Sequence, residues 1–287
     1  MSPKMKNFIV RAITGVLFVA IMVAGLLDPT AMIGLFALIT GLALWEYTGL
    51  VNNIENVCIN RFISTVAGVY LFVAIAGINS GVIQTNAVFV PYLLTVVYLF
   101  ISELYTRNAN AVNDWAYTML GQMYIALPLA CINVLAFRQQ PDGTISFYFL
   151  LPLSVYIFLW VNDTGAYLSG SLLGRHKLFP RISPGKSWEG SIGGGLLVLA
   201  VAALFGWWEN SHECLSGLSV IEWMGLGLVV VFFGTWGDLV ESLFKRTLGI
   251  KDSGSILPGH GGMLDRFDSS LMAIPASVIY IYSLTLL

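Results

Sequence analysis

The sequence contains few charged residues and few cysteines. Only 10% of its residues are Asp, Glu, Lys or Arg, while 57% are hydrophobic and the mean hydropathy is +0.79. Soluble domains carry roughly 25% charged residues, so this shortage argues against a soluble domain and indicates an integral membrane protein. The cysteines Cys58, Cys131 and Cys214 show no CxxC or Cys/His spacing, so neither a zinc site nor thiol chemistry is implied.

Long apolar runs fill most of the 287 residues. At about 20 residues per crossing, a chain of this length could span a bilayer about nine times. The predicted spans are Ala12–Leu27, Ala31–Leu44, Phe62–Ile78, Phe89–Ile101, Trp115–Leu135, Ile145–Trp160, Ser191–Trp207, Met224–Trp236 and Leu271–Leu287. A spanning segment must satisfy its own backbone hydrogen bonds, and the runs show no strand-like alternation. The sequence therefore predicts an all-α, polytopic bundle of about nine membrane helices.

Basic residues are distributed unevenly among the predicted loops. With nine crossings and a cytoplasmic N-terminus, every Lys and Arg except Arg138 would face the cytoplasm, as the positive-inside rule predicts. A cleavable signal peptide over residues 1–27 is the competing interpretation. However, apolar sequence resumes directly after Asp28-Pro29-Thr30, which favours a helical hairpin. We expect the N-terminus and two long polar loops to be cytoplasmic and, without an organelle-targeting extension, the membrane to be the inner (plasma) membrane.

The two halves of the chain differ in their loops. Loops before residue 160 are short and charge-poor, whereas later loops are long and polar. We find no internal repeat or flexible linker. We therefore expect a single membrane-embedded catalytic domain over residues 1–287, with residues 1–160 mainly as scaffold and residues 161–287 supplying the catalytic loops and helices.

The first polar segment, residues 161–190, begins with two polar side chains directly after an apolar run. Asn162 fits a helix cap, because Asn is favoured at helix ends. Asp163 fits either a cap or a functional site, since an acid at the edge of a membrane is costly unless it is used. Gly190 and the triplet Gly193–Gly195 provide a small-residue face, which predicts close helix packing rather than nucleotide binding.

Basic residues then interleave with Gly and Pro up to Lys186. A cytoplasmic cluster that contacts anionic lipid headgroups would account for the charge alone. The segment Ser183-Pro184-Gly185-Lys186-Ser187 indicates more, because a Gly turn beside a Lys commonly holds phosphate oxygens. It is not a Walker A loop, since Pro180 stands where that motif requires Gly.

The second polar segment, residues 237–268, concentrates charge between two apolar runs. If the preceding helix continues through Gly237, one face would carry the side chains of Asp238, Glu241, Ser242 and Lys245. Beyond the Gly-rich turn at residues 258–262, Asp265 and Asp268 are three apart and could project the same way at the start of the last helix. They could also serve only as acids favoured by the helix dipole.

The residues of this segment resemble Mg²⁺-dependent phosphoryl-transfer sites. Mg²⁺ typically uses one or two protein carboxylates together with waters and substrate phosphates. Neighbouring Lys and Arg side chains can neutralise a polyanion, and such catalysis is mainly positioning and charge stabilisation. We find no Ser/His/Asp triad, and His260 in the Gly-rich turn could be structural or substrate-binding.

Several positions together resemble the signature of the phosphatidate cytidylyltransferase family, also called CDP-diacylglycerol synthases. They are Ser242, Lys245-Arg246, Lys251-Asp252, Gly254, Leu257-Pro258, His260-Gly261-Gly262-Met263 and Asp265-Arg266-Phe267-Asp268. The segments Asn162–Tyr167 and Pro180–Gly190 are also similar to that family. The resemblance is specific in the C-terminal half and general in the N-terminal half.

The resemblance implies that CTP and phosphatidic acid react to give CDP-diacylglycerol and pyrophosphate at the cytoplasmic membrane face. It implies Asp238 and Asp265 as metal-binding carboxylates for Mg²⁺, with K⁺ as a second metal and Asp268 as the next candidate. Lys245 and Arg266 join the two metal-binding carboxylates as catalytic candidates. The substrate-binding candidates are Asp163, Ser183, Lys186, Arg246, Lys251 and His260. The resemblance also implies a homodimer, and we expect no nucleic-acid partner.

Three other function classes are weighed against this one. A transporter or channel would place charges along its spans, whereas the charges here lie in two loops. A different lipid-headgroup enzyme could be a CDP-alcohol phosphotransferase or a lipid kinase. A CDP-alcohol phosphotransferase would show a D-G-x-x-A-R segment, but Asp265 is followed directly by Arg266. A structural scaffold would leave the cost of so many polar groups unexplained.

Overall fold

The computed structural model describes residues 3–106, 110–140, 142–211, 216–254, 256 and 261–285. Its α-helices are α1 Pro3–Leu26, α2 Pro29–Val51, α3 Arg61–Asn79, α4 Val90–Ser102, α5 Ala111–Gly121, α6 Leu127–Ala130, α7 Ile132–Ala136, α8 Leu150–Leu173, α9 Trp188–Asn210, α10 Val220–Thr247, α11 Leu264–Phe267 and α12 Ser270–Thr285. A 3₁₀ turn, Asn86–Phe89, precedes α4, and a π-helical turn, Gln122–Ala126, joins α5 to α6. The strands are β1 Phe137–Gln139, β2 Ile145–Phe147, β3 Lys177–Phe179 and β4 Ser183–Ser187.

The protein is an all-α membrane protein in its architecture. Among the described residues, 6 helical segments are long and apolar enough to cross a membrane. They are Pro29–Val51, Arg61–Asn79, Ala111–Ala136, Trp188–Asn210, Val220–Thr247 and Leu264–Leu284. Two shorter apolar helical segments are Ala12–Leu26 and Asn86–Ser102. Every predicted span overlaps a helix, but the prediction that one begins at Ile145 is wrong, because Ile145–Phe147 forms β2 and α8 begins at Leu150.

The described residues divide into two compact units. The first unit comprises Met1–Phe149 and Leu248–Phe267. In its core, Phe267 of α11 packs its ring edge-to-face against Phe18 of α1 and Phe36 of α2, at centroid distances of 5.9 and 6.3 Å. The C-terminal segment of this unit is thus tied to its first two helices. The prediction of a single catalytic domain stays a prediction.

The second unit comprises Leu150–Thr247 and Asp268–Leu287 and is built from α8, α9, α10 and α12. Helices α8 and α9 approach closely through glycines. A Cβ atom at Gly194 would lie 2.7 Å from the carbonyl oxygen of Asn162, and one at Gly190 would lie 2.9 Å from that of Ala166. Side chains larger than hydrogen do not fit there, which confirms the packing interpretation of this glycine-rich face.

The first polar segment is more regular than the sequence indicates. Helix α8 continues to Leu173, so Asn162 and Asp163 lie within a helix and the capping interpretation is wrong for both. The segment Ser183–Ser187 is strand β4, paired antiparallel with β3, and not a glycine turn. Ser187 then caps α9 by accepting the backbone N–H of Gly190 at 3.2 Å.

Candidate functional site

Helix α10 carries the polar face that the sequence predicts. The helix runs through Gly237 to Thr247, which confirms that the residues spaced by three and four lie on one helix. The Ser242 hydroxyl donates to Asp238 Oδ1 at 3.1 Å, and Lys245 Nζ lies 2.5 Å from Glu241 Oε2. The Glu241 side chain is fully buried. The C-terminal part of α10 therefore presents two neighbouring polar pairs in an otherwise apolar helix.

Strand β4 brings a second lysine to this face. Lys186 Nζ lies 2.5 Å from Asp238 Oδ2 and 3.4 Å from the carbonyl oxygen of Thr235. The Lys186 and Asp238 side chains are 26% and 30% exposed. An ion pair this accessible contributes about 0–1 kcal/mol to stability. Stability alone gives little reason for the pair, whereas a site that handles phosphates needs such a cation.

Two more carboxylates lie near Asp238 in the same unit. The charge of Asp268 interacts unfavourably with those of Asp238 and Asp163 and favourably with that of Lys245. Asp268 Oδ1 also accepts the backbone N–H of Ser269 at 2.5 Å. We call Asp163, Asp238, Asp268, Lys186 and Lys245 the acid–lysine cluster. Its acids outnumber its lysines, and Lys245 is shared with Glu241, so negative charge is in excess.

The acid–lysine cluster fits a magnesium ion in its chemistry. Carboxylate oxygens are the ligands that Mg²⁺ prefers, and a divalent cation would offset the excess negative charge. Within the described ranges, no group of three or more His, Cys, Asp or Glu side chains forms a ready-made metal cage.

A cavity of about 190 Å³ adjoins the cluster within the second unit. Its lining includes Asp163 from α8, Lys186 and Ser187 from β4, Ser191 from α9 and Thr235 from α10. The wall thus presents a carboxylate, an ammonium group and hydroxyls to one small space. A phosphate-sized group could contact these polar side chains there.

Asp265 belongs to the first unit and lies in α11. Its Oδ2 atom accepts the backbone N–H groups of Ser253 at 2.9 Å and of Gly262 at 2.8 Å. Gly261 has a positive φ of 81°, which glycine adopts without strain. Asp265 and Asp268 lie at the start of the last spanning segment, Leu264–Leu284, with Asp265 in α11 and Asp268 in the turn before α12.

The remaining candidate residues are not members of the acid–lysine cluster. Arg246, Lys251 and Arg266 are exposed, and Ser183 is half-buried in β4 opposite Phe179. His260 lies outside the described residues. The roles that the sequence suggests for these residues stay predictions.

Sequence analysis did not identify Glu46. This residue is buried in α2 and contacts the loop that precedes α11, the helix of Asp265. The Ser253 hydroxyl donates to Glu46 Oε1, and the Met263 N–H donates to Glu46 Oε2 at 2.7 Å. One signal could have found it: Glu46 is an ionisable residue at the end of a long apolar run.

Known proteins are similar to this chain over most of its length. Residues 8–284 match the family described as the cytidylyltransferase family. The chain is 32% identical over 267 residues to a phosphatidate cytidylyltransferase of Staphylococcus aureus, covering 93% of this chain and 96% of the relative. It is also 32% identical over 255 residues to the protein of that name from Haemophilus influenzae, covering 84% of this chain and 87% of the relative. A Staphylococcus epidermidis relative of the same name shares 32% identity over 93% of this chain and 96% of its own length.

Proposed function

Because this chain belongs to the cytidylyltransferase family, we propose that it is a phosphatidate cytidylyltransferase, which converts CTP and phosphatidic acid to CDP-diacylglycerol and pyrophosphate. The relatives that carry this name align with most of the chain. The observation that carries the proposal is the acid–lysine cluster, in which Lys186 meets Asp238 beside a cavity that Asp163 also lines. This cluster supplies the charges that a reaction between two anionic phosphates requires.

The reaction forms a bond between a phosphate oxygen of phosphatidic acid and the α-phosphorus of CTP. The bond between the α-phosphorus and the bridging oxygen breaks, and pyrophosphate leaves with the electron pair. Phosphate monoesters have a second pKa of about 6, so the lipid phosphate is mostly a dianion near neutral pH and needs no strong base. The enzyme must instead bring two anions together and stabilise charge on the leaving pyrophosphate.

The basic residues of the site are proposed to perform these two tasks. Lys186 lies beside Asp238 and Lys245 lies beside Glu241, so both amines are held by carboxylates at the cluster. Arg246, Lys251 and Arg266 are exposed, and we propose that they contact substrate phosphates. Asp163, Ser183 and His260 are proposed to contact substrate as well, without a division between CTP and lipid.

The acidic residues are proposed to bind Mg²⁺. When bound, Mg²⁺ would neutralise phosphate charge and act as a Lewis acid on a phosphoryl oxygen. We propose Asp238 and Asp265 as its ligands, as the family resemblance implies, with Asp268 as the next candidate. K⁺ is proposed as a second metal on the same basis.

We also propose that the chain crosses the inner (plasma) membrane about nine times with a cytoplasmic N-terminus, and that the active site faces the cytoplasm. The support is the positive-inside rule, since this orientation leaves only Arg138 outside. A cytoplasmic site would meet CTP in solution and phosphatidic acid from the bilayer. A homodimer is proposed from the family resemblance alone.

The test is an assay of the full chain purified in detergent with labelled CTP and phosphatidic acid, with and without Mg²⁺. We expect Mg²⁺-dependent CDP-diacylglycerol and pyrophosphate from the wild-type protein. Asp238→Asn and Asp265→Asn should each lower turnover by at least about 100-fold, since each removes a metal-binding charge at constant size.

The matched control is Asp142→Asn, which changes an exposed acid in the turn between β1 and β2. This variant should keep wild-type turnover. Full activity in Asp238→Asn and Asp265→Asn would show that the metal assignment is wrong. Absence of product from folded wild-type protein at every Mg²⁺ concentration would contradict the proposed reaction itself.

A further inference from the structure

Glu46 is a buried carboxylate in the half of the chain that the sequence presents as scaffold. It is 7% exposed and lies on α2. Its carboxylate accepts the Ser253 hydroxyl and the Met263 N–H, one on each oxygen. Burying a carboxylate is costly unless hydrogen bonds compensate. Glu46 therefore binds the loop between α10 and α11 through hydrogen bonds that require its carboxylate to lose water. An apolar side chain could pack against the loop without this cost.

The loop is shaped around this carboxylate. A Cβ atom at Gly254 would lie 2.8 Å from Glu46 Cδ, and one at Gly262 would overlap Glu46 Oε1. Only glycine allows the loop backbone to approach the acid this closely. Gly254 and Gly262 thus both leave space for the Glu46 side chain.

The contacts of Glu46 continue directly to Asp265. Ser253 Oγ, which donates to Glu46, accepts the backbone N–H of Asp265 at 3.3 Å. Ser253 N and Gly262 N both donate to Asp265 Oδ2, at 2.9 and 2.8 Å. These two donors are Ser253, which Glu46 contacts, and Gly262, which directly precedes the Met263 that Glu46 contacts.

Helix α2 is tightly packed next to Glu46. The next residues, Tyr47 and Thr48, are 1% and 0% exposed, and the Tyr47 hydroxyl donates to the carbonyl oxygen of Tyr117 at 2.9 Å. Residues that orient metal or substrate ligands are effective when they project from a packed element. Helix α2 supplies such an element within the first unit.

We propose that Glu46 is a positioning residue, which holds the Asp265 carboxylate in its orientation through Ser253 and the backbone of residues 262–263. The inference deepens the proposed function and rests on it, since Asp265 is the group positioned. Glu46 itself contacts neither substrate nor metal in this role.

The variant Glu46→Gln tests the proposal at nearly constant size. The Met263 N–H can only donate, so the amide oxygen must face it and the amide NH₂ must face Ser253. The Ser253 O–H would then lose the carboxylate oxygen that accepts it, because an amide NH₂ cannot accept a hydrogen bond. We expect Asp265 to lose its fixed orientation while the fold is kept.

Two measurements on the full chain in detergent report this loss. Hydrogen exchange of the metal-free protein should be faster in peptides covering residues 253–267 by about tenfold or more. Mutating a residue that orients a metal ligand typically lowers metal affinity or activity by about 10- to 100-fold. The Mg²⁺ concentration for half-maximal activity should therefore rise, or turnover should fall, by that factor. Ser253→Ala removes only the hydroxyl link, and should shift both readouts in the same direction even if Glu46→Gln does not fold.

The matched control is Glu209→Gln. Glu209 is 2% exposed, and its carboxylate accepts the Ser216 N–H at 2.8 Å, the Ser216 hydroxyl and Trp223 Nε1 at 2.7 Å. It is an equally buried acid that joins α9 to α10 in the second unit. This variant can lower the melting temperature, but it should leave the exchange of residues 253–267 and the Mg²⁺ dependence unchanged.

The outcomes separate this inference from the proposed function. Wild-type exchange or wild-type kinetics in both Glu46→Gln and Ser253→Ala would overturn the positioning role while the enzyme stays active. Equal changes in the Glu209→Gln control would also overturn it, because they would indicate general destabilisation. Failure of the proposed function would instead appear as a folded wild-type protein that makes no CDP-diacylglycerol.

Discussion

At the scale of single residues, the lysines near α10 differ in environment. The Lys245 side chain is 12% exposed and pairs with a fully buried Glu241. Removing one partner of such a pair leaves a buried charge, which typically costs 3–5 kcal/mol. The Lys186 side chain is more accessible and lines the cavity. Lys186 is therefore the better residue for testing function without loss of the fold.

Lys186→Ala should raise KM for a phosphate-bearing substrate by about tenfold or more, since a hydrogen bond to a charged group contributes about 1.5–3 kcal/mol. Steady-state kinetics with CTP and with phosphatidic acid varied separately would measure the effect. Lys177→Ala is the control, because Lys177 is an exposed lysine on the same hairpin. A fall in kcat with unchanged KM would instead place Lys186 in transition-state stabilisation.

At the scale of secondary-structure elements, the packing of α8 on α9 positions two parts of the site. Asp163 lies on α8, and Ser187, directly after Lys186, caps the N-terminus of α9. The glycines between the helices let their backbones meet, with a hypothetical Cβ at Gly165 only 2.9 Å from Gly194 Cα. Neither helix can shift to receive a larger side chain without moving the residues that line the cavity.

Gly194→Ala should lower the free energy of unfolding by about 1–3 kcal/mol, as overpacking does. Thermal unfolding in detergent, followed by tryptophan fluorescence, would show the lower melting temperature. The control is Gly34→Ala in α2, where nothing lies within 4 Å of the added Cβ. That change should be neutral or stabilising by up to about 1 kcal/mol through helix propensity. Equal melting temperatures for the two variants would contradict the packing account.

At the scale of the whole molecule, the orientation in the membrane decides which substrates the site can meet. The loop between α8 and α9 contains β3, β4 and Lys186, whereas the loop after α9 begins at Ser211. If α9 crosses the membrane, these loops lie on opposite sides. The positive-inside rule assigns the basic β3–β4 loop to the cytoplasm.

This orientation is testable with single cysteines in a variant whose three native cysteines are replaced. Arg181→Cys and Ser211→Cys both change exposed residues. A membrane-impermeant maleimide should label Ser211→Cys in intact cells and Arg181→Cys only after the membrane is opened. The reverse labelling pattern would contradict the proposed cytoplasmic active site.

The class of the protein and its candidate site residues could be predicted from the amino-acid sequence. Hydropathy identified the membrane helices, and spacing by three and four predicted the polar face of α10 with Asp238 and Lys245. These features are local, because a helix repeats every few residues and a spanning segment needs continuous apolarity. The signature residues could therefore be recognised without knowledge of how the chain folds.

The contacts between these residues could not be predicted from the sequence, because they depend on how the chain packs. Ser253 and Glu46 are separated by 207 positions, and the Lys186 amine meets the Thr235 carbonyl across 49. No local period links such partners, since they depend on how helices and loops pack. Packing also extended α8 past Asp163 and straightened Ser183–Ser187 into β4, against the cap and turn that local residue preferences favour. Glu46 lies in the half of the chain that the sequence presents as scaffold. The fold brings it next to Ser253 and Met263, in the loop that precedes the helix of Asp265.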